Sequence, residues 1–182
     1  MAGLALLAAT ALAQQAGTPY RSNEVTLAGL RPGRDNLAAA LKRYKPKYVT
    51  DAAGAPDKKQ WRDTCTGRLL ELGVDGRLDI QSITVSALVT QDGKCDDRRF
   101  DTLDEKSWTT GHGLRLSDPQ NRVIELYGEA QSSGPSTKSG RDVEFLRYAF
   151  DWAGSDVPRA MEIDCDRDTG RVLEIVLAYS SL

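Results

Sequence analysis

Apolar residues recur along this chain with two spacings, one typical of amphipathic helices and one typical of strands. In segment 35–44, apolar side chains recur at the i, i+3, i+4 and i+7 positions of an amphipathic helix, and segment 118–127 contains a shorter stripe of the same kind. The stripes consist of Leu37, Ala40, Leu41 and Tyr44 in the first segment and of Val123, Ile124 and Tyr127 in the second. Pro46 follows the first stripe and Gly128 the second, and both residue types favour a helix end. The pattern therefore predicts two short helices.

A loop rich in glycine and proline follows each predicted helix, and strand-like segments follow each loop. The two loops are 50–57 and 132–140. Alternating or β-branched runs predict strands over 69–72, 80–85, 148–152, 160–165 and 172–179. Glycine-containing segments at 75–77 and 168–171 predict hairpin turns, because glycine supplies the positive φ that such turns require.

The two halves of the sequence share this order of elements. Each begins with a similar segment, Gly29-Leu30-Arg31-Pro32-Gly33 in the first half and Gly113-Leu114-Arg115-Leu116-Ser117 in the second. An apolar helix stripe and one apolar sheet face in each half would bury each other. We therefore expect an α+β protein of two tandem helix-plus-antiparallel-sheet repeats packed together: repeat 1 over 27–90, a linker over 91–110 and repeat 2 over 111–182.

The N-terminal residues predict export. An apolar run over 4–13 ends in Ala11-Leu12-Ala13 and meets polar glutamines, as in a secretory signal peptide. Residues 1–13 are therefore interpreted as a signal peptide and 14–26 as a linker, with a mature N-terminal helix as the alternative. The expected location is periplasmic or secreted. No cysteine follows the run, so no lipid anchor is expected, and no apolar stretch is long enough for a transmembrane segment.

Three cysteines allow one intramolecular disulfide in an exported protein. Cys65 and Cys95 flank one strand-like block and form the predicted pair, while three free thiols remain the alternative. Cys165 alternates with Met161 and Ile163, which predicts a small buried side chain. No Cys/His cluster is present, so no zinc or other metal site is expected.

Charge and motifs exclude several functions. The net charge is −2 over 182 residues, which argues against a nucleic-acid partner. Residues 14–90 carry a net charge of +4 and residues 91–182 a net charge of −6, so the two halves attract each other or steer an asymmetric partner. No motif for a cofactor is present. The acidic run over 164–168 is interpreted as a strand end and turn rather than a calcium loop, and the single histidine, His112, as an exposed turn residue.

Each half resembles the small repeat shared by outer-membrane-assembly lipoproteins of the SmpA/OmlA type and by β-lactamase inhibitory proteins. The resemblance covers roughly 27–88 and 111–180. It is carried in the second half by Gly113, Leu114, Leu116, Val123, Leu126, Tyr127 and Gly128, and in the first by Gly29, Leu30, Gly33, Leu37 and Leu41. Ser117 stands where glycine is usual, and Ala130 where proline is usual. The resemblance implies binding of a protein partner across a concave sheet, without chemistry.

The predicted function is that of an exported, noncatalytic protein-interaction module, either inhibitor-like or envelope-assembly-like. No catalytic residues and no cofactor are expected, and the partner is an unidentified protein bound through the sheet face or loops. Large aromatic side chains are common at interfaces, and the candidates are Trp61, Trp108, Tyr148 and Trp152. One alternative is a small hydrolase that uses Asp151 or Asp164 with Glu162. Another is a structural envelope protein that binds cell-wall polymer.

Overall fold

A computed structural model describes residues 23–44, 50–52, 54–63, 66–89, 108–150 and 160–179. The described elements follow one another in chain order as two short helices, each preceding a set of four strands. They are α1 (Leu37–Tyr44), β1 (Thr50–Ala52), β2 (Ala55–Asp63), β3 (Arg68–Val74), β4 (Ile80–Ser86), α2 (Gln120–Tyr127), β5 (Ser132–Lys138), β6 (Arg141–Ala149), β7 (Ala160–Asp166) and β8 (Val172–Ala178).

All eight of these strands belong to one antiparallel sheet, in the order β1-β2-β3-β4-β8-β7-β6-β5. β4 pairs with β8 across the middle, with Thr84 opposite Val176, so hydrogen bonding continues from one edge strand to the other. The predicted fold class, two helix-plus-sheet repeats packed together, is therefore wrong. Strands dominate the described chain, each described helix has only eight residues, and a shared backbone ladder joins the halves where packing between separate sheets was expected.

One face of the sheet holds the hydrophobic core. A row of opposed apolar residues crosses it, and side chains that lie opposite each other in a sheet share a face. The row consists of Trp61, Leu70, Val85, Ile175, Ile163 and Leu146. Both described helices pack here, α1 through Ala40 and Tyr44 and α2 through Val123 and Tyr127. The short helices are thus stabilised by packing rather than by their own length.

The opposite face of the sheet is polar. The register places one residue from each of the strands β2 to β8 in a row across it: Gln60, Glu71, Thr84, Val176, Glu162, Arg147 and Ser132. Most of the described side chains on this face are half-buried or exposed. Because the two described helices occupy the apolar face, they leave this surface open. We call it the open face.

Strand β5 corrects one prediction from the sequence. Residues 132–140 were expected to be a loop because they combine glycine, proline and serine, but Ser132–Lys138 pairs with β6 along its whole length. β5 is an edge strand without a fully buried side chain. An edge position tolerates Pro135, since one side of the strand needs no hydrogen-bond donors.

The loop predicted over 50–57 is also partly wrong, because it contains β1 and the start of β2. The strand predicted over 148–152 is the end of β6, which begins at Arg141 and ends at Ala149. The remaining strand and helix predictions agree with the structure to within a few residues. The predicted turn at 168–171 joins β7 to β8, where Asp166 Oδ1 accepts hydrogen bonds from the backbone N–H groups of Asp168 and Thr169 at 3.1 and 2.8 Å. The described cysteine, Cys165, is buried as expected and is free, and burial raises the pKa of its thiol to about 12.

Several predictions concern residues outside the described ranges. These are the signal peptide over 1–13, the Cys65–Cys95 disulfide, the interface candidate Trp152 and the alternative catalytic residue Asp151. They stay predictions. Among the described residues, neither helix has the length or the apolar character needed to cross a bilayer.

Candidate functional site

The middle of the open face is lined by small side chains. Ser82 and Thr84 of β4 lie opposite Ala178 and Val176 of β8, and at one end Ser86 lies opposite Glu174. Longer charged side chains stand on the strands to either side, including Lys58 and Glu71 on the first half of the sheet, joined by an ion pair of 2.9 Å. Short residues between long ones give the open face a low floor with raised flanks. We call this feature the trough.

A cluster of three carboxylates around one lysine forms the second flank. Lys138 Nζ lies 2.5 Å from Asp164 Oδ2, 3.0 Å from Glu162 Oε1 and 3.1 Å from Glu174 Oε1. β5 supplies the lysine, β7 supplies Glu162 and Asp164, and β8 supplies Glu174, so the cluster ties three strands together. We call these four residues the Lys138 cluster. Asp164 and Glu162, the carboxylates of the alternative hydrolase prediction, both contact the same ammonium group.

The Lys138 cluster borders a cavity of about 290 Å³ on the open face. Its lining consists of Ser132, Ser136, Lys138, Phe145, Arg147, Glu162 and Asp164. Phe145 lies opposite Gly134, and its ring comes so close that a Cβ at that glycine would lie 3.3 Å from Phe145 Cε1. Gly134 therefore leaves room for the aromatic ring on this face. The cavity combines charged groups, hydroxyls and one aromatic ring.

Asp164 is the most unusual member of the Lys138 cluster. Its side chain is fully buried, and its Oδ1 atom has no hydrogen-bond partner. The β7–β8 register shifts between Asp164 and Cys165, and such bulges redirect side chains next to functional sites. Burial raises the pKa of Asp164. The nearby charges of Glu174 and Glu162 also raise this pKa, whereas Lys138 lowers it. Burial lowers the pKa of Lys138, but its hydrogen bonds to Asp164 and Glu162 outweigh burial and raise that pKa.

Replacing Asp164 with asparagine is expected to raise the midpoint of thermal unfolding at neutral pH. The amide oxygen still accepts from Lys138, which keeps two other carboxylates, while a disfavoured negative charge is removed. Because the folded protein raises the pKa of Asp164, the wild type loses stability as pH rises through that pKa, and the variant does not. Circular dichroism melts at several pH values should show a gap that widens with rising pH and closes in acid.

The control for this prediction is Asp57→Asn, which removes an exposed carboxylate from β2. It should leave the unfolding midpoint nearly unchanged at every pH. An Asp164→Asn protein that melts below the wild type at neutral pH would show that the buried negative charge stabilises the fold.

A second buried carboxylate, that of Glu24, anchors the N-terminal segment to the loop before α2. Glu24 is fully buried. Its Oε1 accepts from the backbone N–H groups of Val25, Thr26 and Gly111 at 2.8, 2.9 and 3.0 Å. Its Oε2 accepts from the His112 backbone N–H at 3.1 Å and the Tyr127 hydroxyl at 2.7 Å, and lies 2.9 Å from His112 Nδ1. Both carboxylate oxygens are therefore fully used within the fold.

The electrostatics of Glu24 fit a structural role. Burial raises its pKa, but the hydrogen bonds from Thr26, His112 and Tyr127 more than offset this and hold the pKa below its usual value. Burial, followed by the Glu24 charge, raises the pKa of Tyr127. His112 is exposed, as predicted, but its ring also packs edge-on against Tyr127 with 5.6 Å between centroids. A Cβ on Gly111 would lie 2.6 Å from Glu24 Oε1, so this position leaves no room for a side chain.

The structure places the described aromatic candidates in the core. Trp61, Trp108 and Tyr148 are 0, 4 and 1 % exposed. Trp61 Nε1 donates to the Tyr44 backbone oxygen at 2.7 Å, and the Tyr148 hydroxyl donates to the Gly128 backbone oxygen at 3.0 Å, so both side chains hold a helix against the apolar face. In this structure they fill the core rather than present a surface to a partner.

Sequence reasoning missed the two residues that give the open face its chemistry. Lys138 was assigned to a surface loop, and Phe145 received no role. The sequence around Lys138 and Phe145 does not indicate their positions, since only the register of β5 and β6 shows that both face Asp164. Over the described ranges, the structure contains no group of three or more His, Cys, Asp or Glu side chains arranged to hold a metal ion.

Comparison with known proteins gives little further information. No protein-family model matches the chain, and no curated protein matches it. One similar solved structure is that of a cysteine-rich secretory protein from Staphylococcus aureus, with 10 % sequence identity, a TM-score of 0.43 and coverage of 85 % of this chain and 47 % of that one. The chain thus spans about half the length of that protein.

Proposed function

We propose that the protein is an exported, noncatalytic interaction module that binds a protein partner across the open face of its sheet. The observation that carries this proposal is the trough itself, a sheet face that both described helices leave open. The resemblance of its glycine and leucine pattern to β-lactamase inhibitory proteins and to SmpA/OmlA-type lipoproteins supports the same role. Periplasmic or secreted location is part of the proposal and rests on the N-terminal sequence.

The size of the open face suits a protein partner. Neighbouring strands lie about 4.8 Å apart, so eight strands span about 34 Å, and seven-residue strands extend about 23 Å. The product is about 800 Å², which matches the roughly 800 Å² that each partner buries in a standard protein–protein interface. A small molecule would use only the cavity beside the Lys138 cluster.

The distribution of charge suits a partner with a basic projection. Glu71, Glu162 and Asp164 lie on the strands that flank the trough floor, and Glu174 lies at one end of β8, beside the floor residues. Lys58 and Arg62 lie further out, on β2. Acidic groups near the centre and basic groups toward an edge orient a partner and speed its association.

The geometry favours binding over the hydrolase alternative. In a carboxylate-dependent hydrolase, Asp164 and Glu162 would divide the roles of acid and base. Here both accept a hydrogen bond from the same ammonium group, that of Lys138. One cation shared between two carboxylates fixes their positions and suits recognition.

Site-specific photo-cross-linking tests the proposed function. A photoreactive phenylalanine analogue at Thr84, on the trough floor, is expected to give an adduct of discrete mass with a protein from the native exported fraction. The matched position is Glu125, an exposed residue of α2 on the helix side, which should give no such adduct. Circular dichroism melts confirm that both labelled proteins are folded.

Competition with unlabelled protein tests whether the Thr84 adduct forms through the open face. An excess of unlabelled wild-type protein should suppress the Thr84 adduct, and an excess of a Thr84→Arg variant, whose long side chain fills the trough floor, should not. Three results would contradict the proposal: equal adducts from the Thr84 and Glu125 positions, no adduct from folded Thr84-labelled protein, or equal competition by both unlabelled proteins.

A further inference from the structure

Asp164 lines the cavity on the open face and carries an unused hydrogen-bond acceptor. Its side chain is 0 % exposed, Oδ2 is bonded to Lys138, and Oδ1 has no partner. A buried acceptor without a donor costs free energy, so such atoms are rare in folded proteins and are expected at binding sites. Because Asp164 lines the cavity, a group that enters the cavity can supply the missing donor.

The charges around the cavity favour a cationic donor. Three carboxylates, Glu162, Asp164 and Glu174, surround Lys138, and Arg147 lies opposite Glu162 on the neighbouring strand. The carboxylates therefore outnumber the cations by one. An incoming cation would balance this charge and would also favour the ionised form of Asp164, which burial disfavours.

The aromatic wall narrows the choice of cation. Phe145 lines the same cavity, and Gly134 leaves room for its ring on the open face. A guanidinium group is planar, stacks on aromatic faces and donates in a fork that matches a carboxylate, whereas an ammonium group is a compact and strongly hydrated charge.

We propose that this cavity is the subsite that receives an arginine side chain of the protein partner. The guanidinium donates to Asp164 Oδ1 and stacks on Phe145, and Ser132 and Ser136 supply acceptors at the cavity rim. This inference deepens the proposed function and rests on it, since the arginine is carried by the partner that binds the trough.

Titration with a minimal arginine probe tests the subsite without the partner. The full chain is titrated with N-acetyl-arginine methylamide and, separately, with the corresponding citrulline compound, which has nearly the same shape but no charge. We expect saturable amide chemical-shift changes on β5, β6 and β7 with the arginine probe and none with the citrulline probe. N-acetylglucosamine, as a cell-wall sugar, should not bind either.

Three variants assign the effect to the cavity. Asp164→Asn should weaken binding of the arginine probe about tenfold or more, because the charged acceptor is lost. Phe145→Leu should weaken it about two- to fivefold, because stacking is lost. Asp57→Asn removes the same charge from an exposed site on β2 and should leave binding unchanged. Each variant is used after its thermal melt shows a folded protein.

The outcomes separate this inference from the proposed function. Four results would each overturn the subsite. The arginine and citrulline probes could bind equally, or the sugar could bind in place of arginine. Asp164→Asn and Asp57→Asn could weaken binding equally, or the arginine probe could cause no chemical-shift change up to its solubility limit. A Thr84 cross-link could still form in any of these cases. Conversely, arginine binding without a Thr84 cross-link would overturn the proposed function and leave a cavity specific for guanidinium.

Discussion

Replacement of Glu24 with alanine is expected to reduce the free energy of unfolding by about 4 kcal/mol, because buried donors around one carboxylate would lose their acceptor together. Four backbone N–H groups, the Tyr127 hydroxyl and the His112 ring depend on it. For a chain of this length the midpoint of thermal unfolding should fall by roughly 8–16 °C. Circular dichroism or calorimetric melts measure the change.

The pH dependence of the same variant gives an independent check. The fold holds the pKa of Glu24 below its usual value, so its contribution to stability is present above the usual pKa and is lost as pH falls through the lowered one. The difference between wild type and Glu24→Ala should therefore narrow in acid. The control Glu129→Ala removes an exposed carboxylate and should change the midpoint little at any pH. A Glu24→Ala protein as stable as this control would contradict the anchoring role.

Replacement of Trp61 with alanine is expected to destabilise the protein by about 4 kcal/mol, as for other large-to-small changes in a core. The Trp61 ring is fully buried, lies 5.7 Å from the Tyr44 ring and donates to the Tyr44 backbone oxygen. Loss of the ring removes both its packing in the core and its contacts with Tyr44, which hold α1 against the sheet. Urea unfolding, followed by far-ultraviolet circular dichroism, measures the loss.

The neighbour Arg62 provides the control for Trp61. Arg62 follows it in the same strand but lies exposed on the open face, so Arg62→Ala should shift the urea midpoint only slightly. If Trp61 were instead an anchor for a partner, Trp61→Ala would keep the stability of the isolated protein. A stable Trp61→Ala variant would therefore contradict the assignment of this residue to the core.

The local elements could be predicted from the sequence because their signals are local. The helix stripes around Tyr44 and Tyr127 and the turn at 168–171 depend only on nearby residues, and the structure confirms them. The strand β5 could not be predicted, because an exposed edge strand has no apolar face to give it a period. Because β5 was predicted to be a loop, the role of Lys138 could not be predicted either.

The features that depend on distant contacts could not be predicted from the sequence. β4 and β8 are separated by more than eighty residues, and nothing in either strand indicates that they pair with each other. Glu24 lies in a segment interpreted as a linker, and its partners Gly111 and Tyr127 are 87 and 103 residues away. Composition favoured Trp61 and Tyr148 as interface residues, but the pleat of their strands turns both toward the helices.

The central claim is that the two halves share one sheet, since the trough exists only where β4 and β8 pair. Nuclear Overhauser contacts between β4 and β8 test this claim most directly in the isotope-labelled full chain. The account predicts interstrand backbone contacts between Thr84 and Val176 and between Val85 and Ile175, together with slow amide exchange in both strands. Absent contacts, with β4 and β8 amides exchanging as fast as those of the edge strand β5, would contradict it.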